Sequence, residues 1–226
     1  MSIASELVVA GRRRVRTQTP ARVVARGRAA AENKTGTTQL AVAARGVLWA
    51  ALLLASCVMG SLAVGLVVVP AAVIASVSAL RAVPRPLRAP AVAVAVGGPI
   101  AAAISFIVAD AQGANLGLTL AFVVCLYDAA SYLNGNGRGT GGWPGVGAGL
   151  LTVGVLAVFV AAVLVPPFTG TRSWLVVGMT GLVAPVGVWL AGRATGWDRL
   201  PALRRVDSMI LAAPVWAILV STVVQR

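Results

Sequence analysis

The sequence predicts an all-α, polytopic integral membrane protein of about seven transmembrane helices, preceded by a disordered, basic N-terminal tail. Three observations carry that prediction. Of 226 residues, 58% are hydrophobic and 11% charged, and the mean hydropathy of +0.89 exceeds what a soluble domain of this length can cover with polar surface. Apolar stretches of about eighteen residues or more recur from Val47 to the C-terminus. The cations are distributed unevenly between the segments that separate those stretches.

The tail, residues 1–45, carries Arg12, Arg13, Arg14, Arg16, Arg22, Arg26, Arg28, Lys34 and Arg45 against Glu6 and Glu32. It has no sustained apolar period, so it reads as a disordered or interfacially adsorbed segment that attracts anionic lipid headgroups. Contact with nucleic acid is the rival use of such a tail, but interleaved aromatics are lacking and lipid and topology explain the charge. Apolar sequence begins too late for a signal peptide, and the tail is expected to be retained.

The transmembrane domain, residues 46–226, follows. Its apolar runs are Val47 to Leu80, Pro90 to Ala109, Leu116 to Leu133, Val146 to Val165, Ser173 to Leu190 and Val206 to Val224. Each break has a chemical cause: Arg and Pro at 81–88, Asp110 to Asn115, the glycine-rich Asn134 to Gly145, Pro166 to Arg172, and the charged stretch Arg193 to Arg205. The first run is too long for one span of about twenty residues and short for two, with Gly60-Ser61 as a candidate hairpin tip. Charge decides in favour of the hairpin. Seven spans place 1–46, 81–89, 134–145 and 191–205 on one side with seventeen of the 19 cations, whereas six spans divide them 11 to 8. The N-terminus is therefore expected in the cytoplasm and the C-terminus outside. Abundant Gly and Ala suggest a closely packed bundle.

Composition narrows the chemistry. The absence of histidine excludes imidazole bases, histidine triads and histidine-ligated metals. Cys57 and Cys125 lie in separate apolar runs and read as packing residues rather than a disulfide framework. Any reaction rests on carboxylates, arginine and hydroxyls.

An acidic side chain inside a span asks for a partner, a cavity or a metal. Asp128 is such a residue, and Ser131 and Tyr132 follow it at i+3 and i+4, so the three form a polar stripe on one helix face. Asp207 opens the seventh span after Arg204 and Arg205 and is followed by Ser208, at the same leaflet as Asp128. Two acids at equal depth on different helices suit a divalent cation, and neighbouring arginines suit phosphate oxygens. The plainer readings are a structural hydrogen-bonded patch around Asp128 and, for Asp207, the ordinary preference for acids at a helix N-terminus.

The segment from Asn134 to Gly149 is saturated with glycine and contains Arg138 and Trp143-Pro144. It matches neither a P-loop nor a Rossmann turn; a flexible connector and a phosphate cradle are its two readings. Trp49, Trp174, Trp189, Trp197 and Trp216 are expected mostly as interfacial anchors, Asp110 as a solvated acid of an exterior loop, and Asp198 as a surface charge.

Leu200-Pro201, then Arg204-Arg205-Val206-Asp207-Ser208 and the apolar helix ending in Ala213-Pro214-Val215, resembles the C-terminal signature of the phosphatidate cytidylyltransferases (CDP-diacylglycerol synthases): Leu-Pro, a glycine-rich turn, Asp-Arg-x-Asp-Ser and Ala-Pro-Val. Tyr127-Asp128-Ala129-Ala130-Ser131-Tyr132 and Gly135 are similar to that family's Asp-x-x-Ala-Tyr-x-x-Gly helix, and the resemblance runs from Phe122 to Val224. Arg204 stands at the motif's first aspartate, a His-Gly-Gly turn is missing, and Gly145 to Gly149 replace a Lys-Thr-x-Glu run.

The resemblance implies transfer of the cytidylyl group of CTP to phosphatidate, releasing pyrophosphate, with Mg2+ as cofactor. It implies Asp128 and Asp207 as metal ligands and Arg205 as a catalytic phosphate-neutralising group. Ser131, Tyr132, Arg138, Arg204 and Ser208 would bind substrate. Membrane lipid, CTP and phosphatidate are the expected partners, with no nucleic acid, and a homodimer or partner subunit would be a means of completing the site. The alternative is a noncatalytic scaffold or lipid-binding protein that keeps the fold; a transporter fits less well, because the polar residues gather at one face rather than mid-membrane.

Overall fold

The computed structural model describes residues 41, 43–83, 89–134, 143–163, 168, 170–194 and 206–224. The remainder, including residues 1–40 of the tail, Arg138 and 195–205, lies outside the described residues. Every regular element among the described residues is helical, and residues from Ala44 onward form one compact unit.

Among the described residues seven helical segments follow in order: α1 (Ala43–Met59), α2 (Ser61–Ala82), α3 (Ala89–Gln112), α4 (Ala114–Asn134), α5 (Trp143–Val163), α6 (Gly170–Ala194) and α7 (Met209–Leu219). Helices α2 to α6 are each long and apolar enough to cross a membrane, while α1 and α7 are shorter apolar helices. Large hydrophobic side chains such as Leu62, Leu66, Leu151 and Phe159 point outward, the arrangement of a bundle whose solvent is hydrocarbon.

The helix breaks follow from backbone chemistry. Gly60 has φ 100°, a conformation natural for glycine and strained for other residues, and it alone separates α1 from α2. Its N–H closes α1 on Ser56 O at 3.1 Å, while its own carbonyl accepts the N–H of Val64 and starts α2. Gly113 plays the corresponding part between α3 and α4: its N–H bonds Asp110 O at 3.0 Å and its carbonyl accepts from Leu116 at 2.9 Å. Inside α3, a π-turn spans Ala93–Gly97 immediately before Pro99. Proline returns no N–H to the preceding turn, so the helix widens there, and Ser76 Oγ of α2 donates to the Val96 carbonyl at 3.2 Å.

Helix α2 packs on α3, α3 on α4 and α7, α4 on α5, α5 on α6, and α6 on α7. Small residues set these approaches. Gly98 lies against Ile210, Gly181 against Val153, and Gly187 against the backbone at Asp207, Ser208 and Leu211. The core contains Leu53, Phe106, Leu120, Tyr127, Met209 and Trp216, all fully buried.

Three sequence expectations need correcting. Asp110 is not a solvated loop residue: α3 continues to Gln112, because nothing in Asp110-Ala111-Gln112 stops a helix, and Asp110 is buried. Trp143 to Gly149 is not connector but the first two turns of α5, where Gly149 makes room for the side chains of Tyr127 and Ser131. Trp216 is not an interfacial anchor; it is buried within α7, edge-on to Phe168 with ring centroids 5.7 Å apart. Trp174 and Trp189 are exposed near helix ends as anchors would be, and Arg193 lies over the Trp189 ring at 5.0 Å.

Candidate functional site

The chain enters α7 through a turn at Val206–Ser208, with Ile210 N–H bonded to Val206 O at 3.1 Å. Asp207 uses its short side chain in the way such residues do before a helix: its Oδ1 accepts the Ser208 N–H at 2.8 Å. That bond fixes the direction of Ser208, which is fully buried, and its Oγ donates to Asp128 Oδ2 on α4 at 3.0 Å.

Two acids far apart in sequence are thereby brought together. Both are half-buried, and each lies within the electrostatic field of the other. Gly187 of α6 supports the turn from beneath: a Cβ there would come within 2.7 Å of the Asp207 carbonyl oxygen and 3.4 Å of Ser208 O. Three helices therefore build the acidic site, α4 and the α7 entry through side chains, and α6 through the lack of one.

Asp128, Asp207 and Ser208 stand together, joined through Ser208. Ser131 stands one face away: it is fully buried against α5 with Tyr127 rather than hydrogen-bonded to Asp128. A Cβ on Gly149 would overlap both Ser131 Oγ and the Tyr127 ring. Neither the Tyr127 hydroxyl nor Ser131 Oγ has a hydrogen-bond partner among the described residues. Tyr127 also lies in the field of both Asp128 and Asp207. It is the site neighbour that sequence reasoning missed; Tyr132, expected in its place, is half-buried. Arg138, Arg204, Arg205 and Asp198 fall outside the described residues.

Two carboxylates and adjacent hydroxyls form an all-oxygen donor set, which suits a hard cation such as Mg2+ that keeps several waters and takes further oxygens from phosphate. Among the described residues no group of three or more acidic, cysteine or histidine side chains could hold a metal ion, so any such ion would rest on Asp128 and Asp207 with substrate oxygens completing its shell.

The class defined by fold and site is an all-helical bundle with five bilayer-length apolar helices and a paired-carboxylate site where α4 meets the entry to α7. No family model, no curated protein and no solved structure matches the chain.

Proposed function

We propose that the chain is a seven-span protein of a bacterial plasma membrane, with its N-terminus in the cytoplasm, that transfers the cytidylyl group of CTP to a lipid phosphate such as phosphatidate. The observation that supports this reading best is the hydrogen bond from Ser208 to Asp128, because it joins the two acids that a phosphoryl-handling site needs at one place. The α1–α2 break at Gly60 supports the hairpin, and with it the seven-span count and the strong cation asymmetry of the sequence.

In the proposed reaction, a phosphate oxygen of the lipid attacks the α-phosphorus of CTP. The bond from that phosphorus to the bridging oxygen breaks, and pyrophosphate leaves. Asp128 and Asp207 would hold Mg2+, which when bound screens the repulsion between the two anionic reactants. Ser208 holds the Asp128 carboxylate in place from α7, and the Ser208 N–H does the same for Asp207. Arg205 and Arg204 would neutralise phosphate charge, with Arg138, Ser131 and Tyr132 contributing to substrate binding.

The test is pyrophosphate release by the purified full chain given CTP, phosphatidate and magnesium. Turnover that disappears in Asp128→Asn and in Asp207→Asn supports the transferase. No turnover above background across a series of lipid phosphates and divalent metals overturns it and leaves the noncatalytic scaffold.

A further inference from the structure

Asp110 is an acid that the α4–α7 site does not use. It occupies the last turn of α3, is 5% exposed, and its Oδ1 has no hydrogen-bond partner among the described residues. No lysine or arginine pairs with it among those residues. It lies at the other end of the bundle from Asp128: Gly117, which touches it, precedes Asp128 by eleven positions of α4, roughly 16 Å along the helix.

The surroundings are built around this side chain. On α4, Gly117 is buried, and a Cβ added to it would overlap Asp110 Oδ1 and approach Asp110 Cβ to 2.8 Å and Cγ to 2.9 Å. The carboxyl group thus occupies volume left by the lack of a side chain at 117. From α1, fully buried Cys57 lies in the field of Asp110. Ser56, beside it in sequence and 3% exposed, donates its hydroxyl to Leu53 O at 2.7 Å.

A buried carboxyl with one oxygen left unsatisfied is a costly way to fill space, since a neutral side chain of similar size would occupy the same volume. The expense is met when something positively charged binds there. We propose that Asp110 is the anionic ligand of a small-cation site, for an alkali ion or a proton, at the end of the bundle opposite Asp128 and Asp207. This rests on neither the transferase reading nor the α4–α7 geometry. Cys57 is the titratable group that faces Asp110 from α1, and α4 faces it with Gly117, which carries none.

The test follows the thermal unfolding of the full chain in nanodiscs of zwitterionic lipid by tryptophan fluorescence. One series replaces choline chloride by sodium, lithium or potassium chloride at constant ionic strength; the other varies pH in choline chloride alone. The expected result is a midpoint raised by roughly 5 °C at saturating cation, lost in Asp110→Asn and kept in Cys57→Ala. A response specific to one alkali ion identifies that ion, and a response to pH alone identifies the proton. Gly117→Ala, which keeps the charge but crowds the carboxyl, should raise the half-saturating concentration about tenfold and provides the reading should Asp110→Asn fail to fold. The proposal is overturned if Asp110→Asn responds as the parent does, or if neither series moves the parent protein.

Discussion

Ser208 donates its hydroxyl to Asp128 across eighty positions of sequence, at 3.0 Å, while its backbone N–H takes the carboxylate of Asp207 at 2.8 Å. A single residue at the entry to α7 therefore holds both acids.

Ser208→Ala removes the bond to Asp128. Hydrogen bonds between helices in membrane proteins contribute about 1 kcal/mol, and that loss is the expected change in unfolding free energy. In a double-mutant cycle, Ser208→Ala in the background of Asp128→Asn should cost less than it does alone. Equal costs in the two backgrounds would mean that the contact contributes nothing to stability.

Gly149 and Gly147 lie on different faces of α5 and should respond in opposite senses. A Cβ at 149 overlaps Tyr127 and Ser131, whereas one at 147 meets nothing within 4 Å. Gly149→Ala should destabilise by about 1–3 kcal/mol, and Gly147→Ala should stabilise by about 0.5–1 kcal/mol through helix propensity. Denaturation of the two variants side by side checks the pair, and a similar response in both contradicts the packing described.

This contrast also shows what the sequence concealed. The runs of apolar residues and the Gly and Pro punctuation locate most helices, and Asp128, Asp207 and Ser208 can be read as a group because acids are conspicuous in such sequence. The burial of Tyr127 in place of Tyr132 could not be read. Both lie on an α4 that is apolar nearly all round, so no amphipathic face reveals which side meets α5, and the determining feature is an absent side chain on another helix. Asp110 was misplaced for a related reason. The break from Asp110 to Asn115 looks like a loop by composition, but one glycine is enough to turn the chain, and the polar residues before it remain helical.

Gly187 rests on backbone, which cannot swing aside as a side chain can. Gly187→Ala would bring a methyl carbon to 2.7 Å from the Asp207 carbonyl oxygen and displace the turn that carries both Asp207 and Ser208. The expected outcome is a loss of any pyrophosphate-releasing activity of at least tenfold, with a smaller effect from Gly178→Ala on the same helix, where a Cβ meets nothing within 4 Å. Equal activities in the two variants would separate the turn from function.

Gly60 joins α1 to α2 at φ 100° with open space around it. Space is not the constraint there, so Gly60→Ala should be destabilising by about 1–3 kcal/mol from backbone strain alone. A D-alanine introduced at the same position by semisynthesis should restore the parent midpoint, because its mirror-image Cβ tolerates that dihedral. Failure of the D-residue to rescue would place the cost in packing.

The seating of Asp110 against Gly117 also bears on how the molecule is made. An acid whose seat is completed by the following helix is only partly sheltered while α3 is the last segment synthesised, so α3 alone is a poor candidate for release into lipid. Emerging together, the two segments offer the translocation machinery a pair whose acidic group is already enclosed. The one-residue turn at Gly113 would then act as the staple of a two-helix insertion unit, and biogenesis would proceed by couples rather than by single spans.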